Sequence, residues 1–226
     1  MMSTDDKGVN DSDRTMAAQL SNPEGERGKE LASDMNRANA LVTACTIDCL
    51  IPEAGQNVVE IGPGNGMLSF SLTYTLESDG HYQAIERSAD MAQQVRDNLA
   101  EYAECQMTVH NEDCFDAPID DASVDGIFGV NVIYFIEDMT ELFTLFDRWL
   151  KPGGRVALGM RTSDTMKAQG FTQHGFKLRE KEEIEAAMTA VGWRLAGSEY
   201  FEEADIELEG KTLKVDALVL SAQKPE

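Results

Sequence analysis

The stretch VVEIGPGNGMLSF, Val58 to Phe70, sets three alternating glycines, Gly62, Gly64 and Gly66, between an apolar run and the start of a helical pattern. Glycine at that density is costly in chain entropy. The backbone must therefore turn sharply there and come close to something. Asn57–Ile61 reads as a strand and Met67–Leu76 as a helix, and the alternation continues down the chain. Strands are expected at His81–Glu86, Gln106–His110, Val124–Val130 and Arg155–Met160. Helices are expected at Ser88–Glu104, Asp138–Leu150 and Lys181–Val191. Such alternation predicts right-handed βαβ units, hence a parallel sheet with helices on both faces. Two closing strands, Trp193–Phe201 and Thr212–Ala222, flank a turn at Glu209–Gly210. They are too close together for a helical crossover, so they are expected as an antiparallel hairpin.

The flanking segments and the composition narrow the class. A chain of 226 residues suffices for one large domain. Residues 1–22 are polar and without period, and read as a disordered or loosely held tail. From Glu26 to Leu50, Leu31, Met35, Ala38, Leu41, Val42, Cys45 and Cys49 recur at helical spacing, until Pro52 and Gly55 end the pattern. A formal net charge of −22 repels phosphate backbones, so nucleic acid is not an expected partner. No apolar run approaches the roughly 18 residues of a membrane span. The N-terminus has no apolar core of the signal-peptide kind, so a cytoplasmic location is expected. Cys45, Cys49, Cys105 and Cys114 have no CxxC spacing, and no cluster has metal-ligand spacing, so no metal is expected.

In a doubly wound sheet, ligands lie beyond the carboxyl ends of the strands where strand order reverses. The glycine loop follows the first strand directly, and can present backbone amides to a ligand at close range. Twenty residues past Gly66, at the end of the second strand, stands Glu86. A carboxylate there can accept hydrogen bonds from both ribose hydroxyls of an adenosine. A dinucleotide loop, G-x-G-x-x-G, would need a third glycine where this chain has Met67. Glu60, two residues before Gly62, would repel a pyrophosphate but suits a cationic ligand. A nicotinamide-dependent oxidoreductase is therefore the weaker reading.

VVEIGPGNG (Val58–Gly66), AIERS (Ala84–Ser88), EDCFDAPIDDASVDGIFGVNVIYFIED (Glu112–Asp138) and WLKPGGRVALG (Trp149–Gly159) stand in one order along the chain. In this it resembles the class I S-adenosylmethionine-dependent methyltransferases. The resemblance implies a doubly wound, Rossmann-like, seven-stranded and mostly parallel sheet over residues 56–226, with the antiparallel C-terminal hairpin. It also implies an N-terminal helical cap over residues 23–55, in which MNRANA (Met35–Ala40) is the part most like a cap that closes on cofactor. By the same resemblance, Glu60, Gly62, Gly64 and Gly66 would meet the methionine moiety of S-adenosylmethionine. Glu86 would hold the ribose, with Arg87 and Met91 along the adenosine. Asp113 would face the adenine amino group beside the Cys114 amide, and Asn131 would lie near the methyl group.

The implied activity is in-line methyl transfer to a small-molecule acceptor. A cofactor-binding subunit without turnover, or a methyltransferase acting on a macromolecule, are the alternatives. Tyr134, three residues after Asn131, could border the methyl group or simply pack. His174, in the glycine-flanked KAQGFTQHGFKL, could serve as base or acceptor ligand or lie on the surface. Asn36, Arg37 and Arg161 could meet an anionic acceptor group. His81 and His110 are expected to be structural.

Overall fold

A computed structural model describes residues 4–208, 211–213 and 215–226. Two helices open the chain, α1 (Thr4–Ser21) and α2 (Gly25–Leu50). The expected alternation follows: β1 (Asn57–Ile61), α3 (Phe70–Thr75), β2 (His81–Ile85), α4 (Ala89–Leu99), β3 (Gln106–His110), β4 (Val124–Val130), α5 (Met139–Trp149) and β5 (Leu150–Met160). The chain closes with α6 (Ser163–Lys167), α7 (Lys181–Ala190), β6 (Arg194–Glu202), a short ribbon of β7 (Ile206–Leu208) and β8 (Lys211–Leu213), and β9 (Asp216–Gln223). The main sheet has seven strands in the order β3-β2-β1-β4-β5-β9-β6. Pairing is parallel from β3 through β5 and antiparallel where β9 meets β5 and β6. Strand order reverses between β1 and β4, so the loops that leave these strands open into one crevice.

Each face of the sheet carries a helical layer. On one face, Leu142, Phe143, Phe146 and Trp149 of α5 bury against Val59, Ile127 and Val156. This helix starts cleanly because the Asp138 carboxylate accepts the Thr140 and Glu141 amides, at 2.7 and 3.2 Å. On the other face, Ile47 and Leu50 of α2 join Leu72, Val95 and Leu99 over Val58, Ala84 and Phe128. Two sheet glycines permit that approach. A Cβ at Gly126 would lie 3.3 Å from Leu50, and one at Gly159 would stand 2.9 Å from Val42 and run into the Thr46 hydroxyl. The expected cap segment is thus continuous with the core. The first half of α2 overhangs the crevice, while its second half is a layer of the sandwich.

Several expectations are corrected here. Residues 4–21 form a helix rather than a loose tail. Their few apolar residues, with Ala17 buried and Met16 and Leu20 turned to the crevice, are enough to seat it. The fifth strand begins at Leu150, not Arg155, because LKPGG pairs with β4 through a register shift between Val124 and Gly126. The closing strands are not consecutive: the β7–β8 ribbon intervenes before β9. The expected turn at Glu209–Gly210 lies outside the described residues. Among those residues, no helix is long and apolar enough to cross a membrane.

Phe143 is fully buried, 5.4 Å from the Trp193 ring and 6.3 Å from Phe146. Phe143→Ala is expected to cost about 3–5 kcal/mol of stability, read from urea unfolding. A loss under about 1 kcal/mol would mean that this layer is loosely packed.

Candidate active site

The three loop glycines all adopt left-handed backbone, with φ of 66° at Gly62, 58° at Gly64 and 77° at Gly66. At Gly62 the reason is contact, since a Cβ would stand 2.6 Å from a methyl of Val132 in the loop after β4. At Gly64 it is direction. Open space lies where its Cβ would be, and its amide donates to Glu86 Oε2 at 3.1 Å. The other carboxylate oxygen of Glu86 accepts the Ser88 amide at 2.9 Å. Glu86 is only 6% exposed, and burial raises its pKa against the pull of these two amides. The amides fix the plane of the carboxylate and leave it acceptor capacity for hydroxyl donors.

Glu60, 4% exposed, lies beneath the loop. Its Oε2 accepts the hydroxyls of Ser69 and Tyr82, each at 2.5 Å. Burial pushes its carboxyl up to about 7, although the two hydroxyls hold it down. Across the crevice, Asn131 takes left-handed backbone (φ 57°) and donates its amide to the Gly159 carbonyl at 2.8 Å. Its side-chain Nδ2 donates to Asn39 Oδ1 of α2 at 3.0 Å. Asn39, which the sequence reading passed over in favour of Asn36 and Arg37, is therefore the cap residue that touches the expected methyl end. The i, i+4 relation of Met35 and Asn39 was the available signal, since both line the cleft.

The cleft between these elements has a volume of about 320 Å³. Glu60, Gly62, Gly64, Glu86, Arg87, Asp113, Cys114, Asn131 and Tyr134 all line it, as do Asn36 and Arg161. Asp113 closes its own turn by accepting the Phe115 amide at 3.1 Å. Burial, then the neighbouring Asp113, pushes the Cys114 thiol up to about 12, so it is an inert wall residue. Arg87 clasps the end of α1, with Nε 2.9 Å from the Ser21 carbonyl and Nη2 2.5 Å from the Ser21 hydroxyl. Its guanidinium also lies 5.7 Å over the Phe135 ring.

Other expected residues stand elsewhere. Met91 is fully buried in the first turn of α4 and does not line the cavity. Gly66 packs on Val95, 3.2 Å from where its Cβ would be, and shapes the loop from behind. His174 lies off the cleft, and Arg37 points outward beside Asp34 at 3.9 Å. Tyr134 is at the cleft, but its hydroxyl is committed to the Arg161 backbone, accepting the amide at 2.7 Å and donating to the carbonyl at 3.0 Å. Burial also raises the phenol, so it is a poor base. Arg161 is bound in turn to Glu203 at 2.5 Å and to the Ala38 carbonyl at 2.5 Å. His81 and His110 bridge neighbouring strands, to Thr108 at 2.8 Å and to Gln83 at 3.1 Å. Among the described residues, no group of three or more His, Cys, Asp or Glu side chains could hold a metal ion.

Glu60 holds its proton more tightly folded than at its ordinary value of 4.5. Its share of stability is complete below that value and is lost as pH rises through about 7. Glu60→Gln keeps an acceptor for both hydroxyls and should remove this fall. The drop in unfolding free energy from pH 5 to pH 8 should shrink by roughly 1–3 kcal/mol against wild type. Parallel pH profiles for the two proteins would show that Glu60 is ionised throughout.

Residues 59–158 match a family described as a methyltransferase domain. Phosphoethanolamine N-methyltransferase 1 of Triticum aestivum is 30% identical over 130 residues, which are 58% of this chain and 25% of that protein. The chain thus spans about a quarter of the length of the curated relatives it matches. A chain from the complex of the Haloferax volcanii Trm112 methyltransferase activator with a methyltransferase superposes with a TM-score of 0.71 at 18% identity, covering 87% of this chain and 95% of that one. Geranyl diphosphate C-methyltransferase from Streptomyces coelicolor A3(2), solved with S-adenosyl-L-homocysteine, gives 0.65 at 15% identity, covering 92% of this chain and 87% of that one. Residues 59–158 thus match a methyltransferase domain, and the fold as a whole resembles that of these solved methyltransferase structures.

Proposed function

We propose that this protein methylates the nitrogen of a small-molecule acceptor, using S-adenosylmethionine as donor. The observation that carries the reading is Glu86, buried at the tip of β2 and oriented by two backbone amides toward the mouth of the glycine loop. That constellation fits the cofactor: a fixed carboxylate for two ribose hydroxyls, and Asp113 with the Cys114 amide further along the wall for the adenine. The loop residues Gly62 and Gly64, their own amides taken by the Ile85 carbonyl and by Glu86, line the methionine end with Asn131. Glu60, bonded to Ser69 and Tyr82, lies beneath it. S-adenosylmethionine, when bound, supplies a methyl group already activated on a sulfonium.

What remains for the chain is alignment and exclusion of water. Holding donor and acceptor in line can contribute about 7–11 kcal/mol to lowering the barrier. The walls that would do so are α1, through Met16 and Leu20, and α2, through Met35 and Asn39. Neither expected catalytic group is placed as a base, because the Tyr134 hydroxyl is committed and His174 lies off the cleft. An amine entering as the free base needs none. Transfer to nitrogen is also what the names of the phosphoethanolamine N-methyltransferase relatives describe.

Glu86→Ala should weaken S-adenosylhomocysteine binding by tenfold or more in calorimetry, since each lost charge-assisted bond contributes roughly 1.5–3 kcal/mol. Unchanged affinity in a folded variant would remove the ribose assignment. Deleting residues 1–22 is the second test. A loose tail would make the deletion silent, whereas loss of the Ser21–Arg87 clasp and of two wall residues should lower cofactor affinity several-fold. An unchanged Kd would exclude α1 from the site.

A further inference from the structure

One stretch of the cleft wall has no part in the cofactor assignments, and it is aromatic. Phe135 and Phe176 pack with ring centroids 4.8 Å apart, and Phe171 lies 5.5 Å from Phe176. Phe171 and Phe176 sit at either end of the turn that contains His174 and Gly175. Gly175 takes left-handed backbone, φ 89°, with open space where a Cβ would point. The turn brings both rings to the cavity and leaves the histidine outside it. Both rings are half-buried, packed against the core on one side and lining the cleft on the other. Met35 and Met166 line the same cavity.

The charges of the cleft point the same way. Among the described residues its lining holds two basic side chains, Arg87 and Arg161, against Glu60, Glu86, Glu112 and Asp113. Arg161 is closed off by Glu203, the two side chains being 7% and 13% exposed. Arg87 is engaged by Ser21 and by the Phe135 face. An anionic acceptor would give up its hydration to meet a lining with four carboxyl side chains, where Arg161 is already paired with Glu203 and Arg87 is already held by Ser21 and Phe135.

Resting on the reading of this cleft as an N-methyltransfer site, we propose that the acceptor is an arylalkyl amine without phosphate or carboxylate, its carbon body held by Phe135, Phe171 and Phe176. The amine reacts as its free base, its ammonium proton given up to water before transfer. The lone pair on nitrogen then forms the N–C bond as the S–C bond breaks. Sulfur keeps the bonding pair, the positive charge passes to nitrogen, and the proton that nitrogen sheds goes to water.

The test uses the full chain with benzylamine, 2-phenylethylamine, tryptamine and phosphoethanolamine. Calorimetry with S-adenosylhomocysteine comes first, and failure there falls on the cofactor reading rather than on this one. With cofactor binding established, at least one arylalkyl amine should raise the melting temperature of the complex and yield S-adenosylhomocysteine from S-adenosylmethionine. Phosphoethanolamine should do neither. Phe171→Ala and Phe176→Ala should each lower kcat/KM for the amine by about tenfold, while Phe171→Leu loses less. S-adenosylhomocysteine affinity, unchanged in all three, reports that the fold is intact. The proposal is overturned if phosphoethanolamine turns over as fast as the amines. It is equally overturned if no aryl amine binds or reacts, or if both alanine variants keep full kcat/KM with folded protein.

Discussion

A carboxylate taken out of water has to be met by donors, and at Glu86 the donors come from two different elements. Gly64 belongs to the loop after β1 and Ser88 caps α4. The Ser88 amide is two residues on in the same turn, but the Gly64 amide reaches the carboxylate because β1 and β2 run parallel, with Ile61 beside Ile85. The loop must also take left-handed backbone, which is what its glycines permit. The acid, the glycines and the sheet register are one constraint, and the cleft is its by-product.

The crevice is closed from the other side by the same kind of economy in side-chain volume. The Gly62–Val132 contact brings the loops after β1 and β4 together. Asn131, one residue before Val132, then faces α2 and bonds Asn39. Arg161 binds the Ala38 carbonyl and Glu203, joining α2, the end of β5 and the segment after β6. Its buried guanidinium is balanced within the wall, which leaves the interior of the cleft to carboxylates and rings.

Local pattern carried the strands because each parallel strand is short, apolar and bounded by turn residues. The β1, β3 and β4 boundaries agree with expectation, and β2 differs only in leaving Glu86 just past its end. Glu86 was legible for the same reason: its place at a strand tip follows from the strand. What did not show was decided across long separations. Tyr134 resembles a free phenol until it meets a backbone 27 residues away, and Asn39 gains its role from a partner 92 residues away. His174 attracted attention by its chemistry, whereas Gly175 determines which neighbours face inward. α1 was hidden because few apolar residues mark it, and their partners lie in distant elements.

α2 is a single rod with two duties, and Gly159 touches the end that rests on the sheet. Seven residues separate Thr46, above that glycine, from Asn39 at the cleft, about 10 Å along the axis. A methyl group introduced at Gly159 would push on Thr46 and Val42 and tilt the far end of the lever. A position that never meets a ligand thereby sets the width of the space in which a reaction would occur.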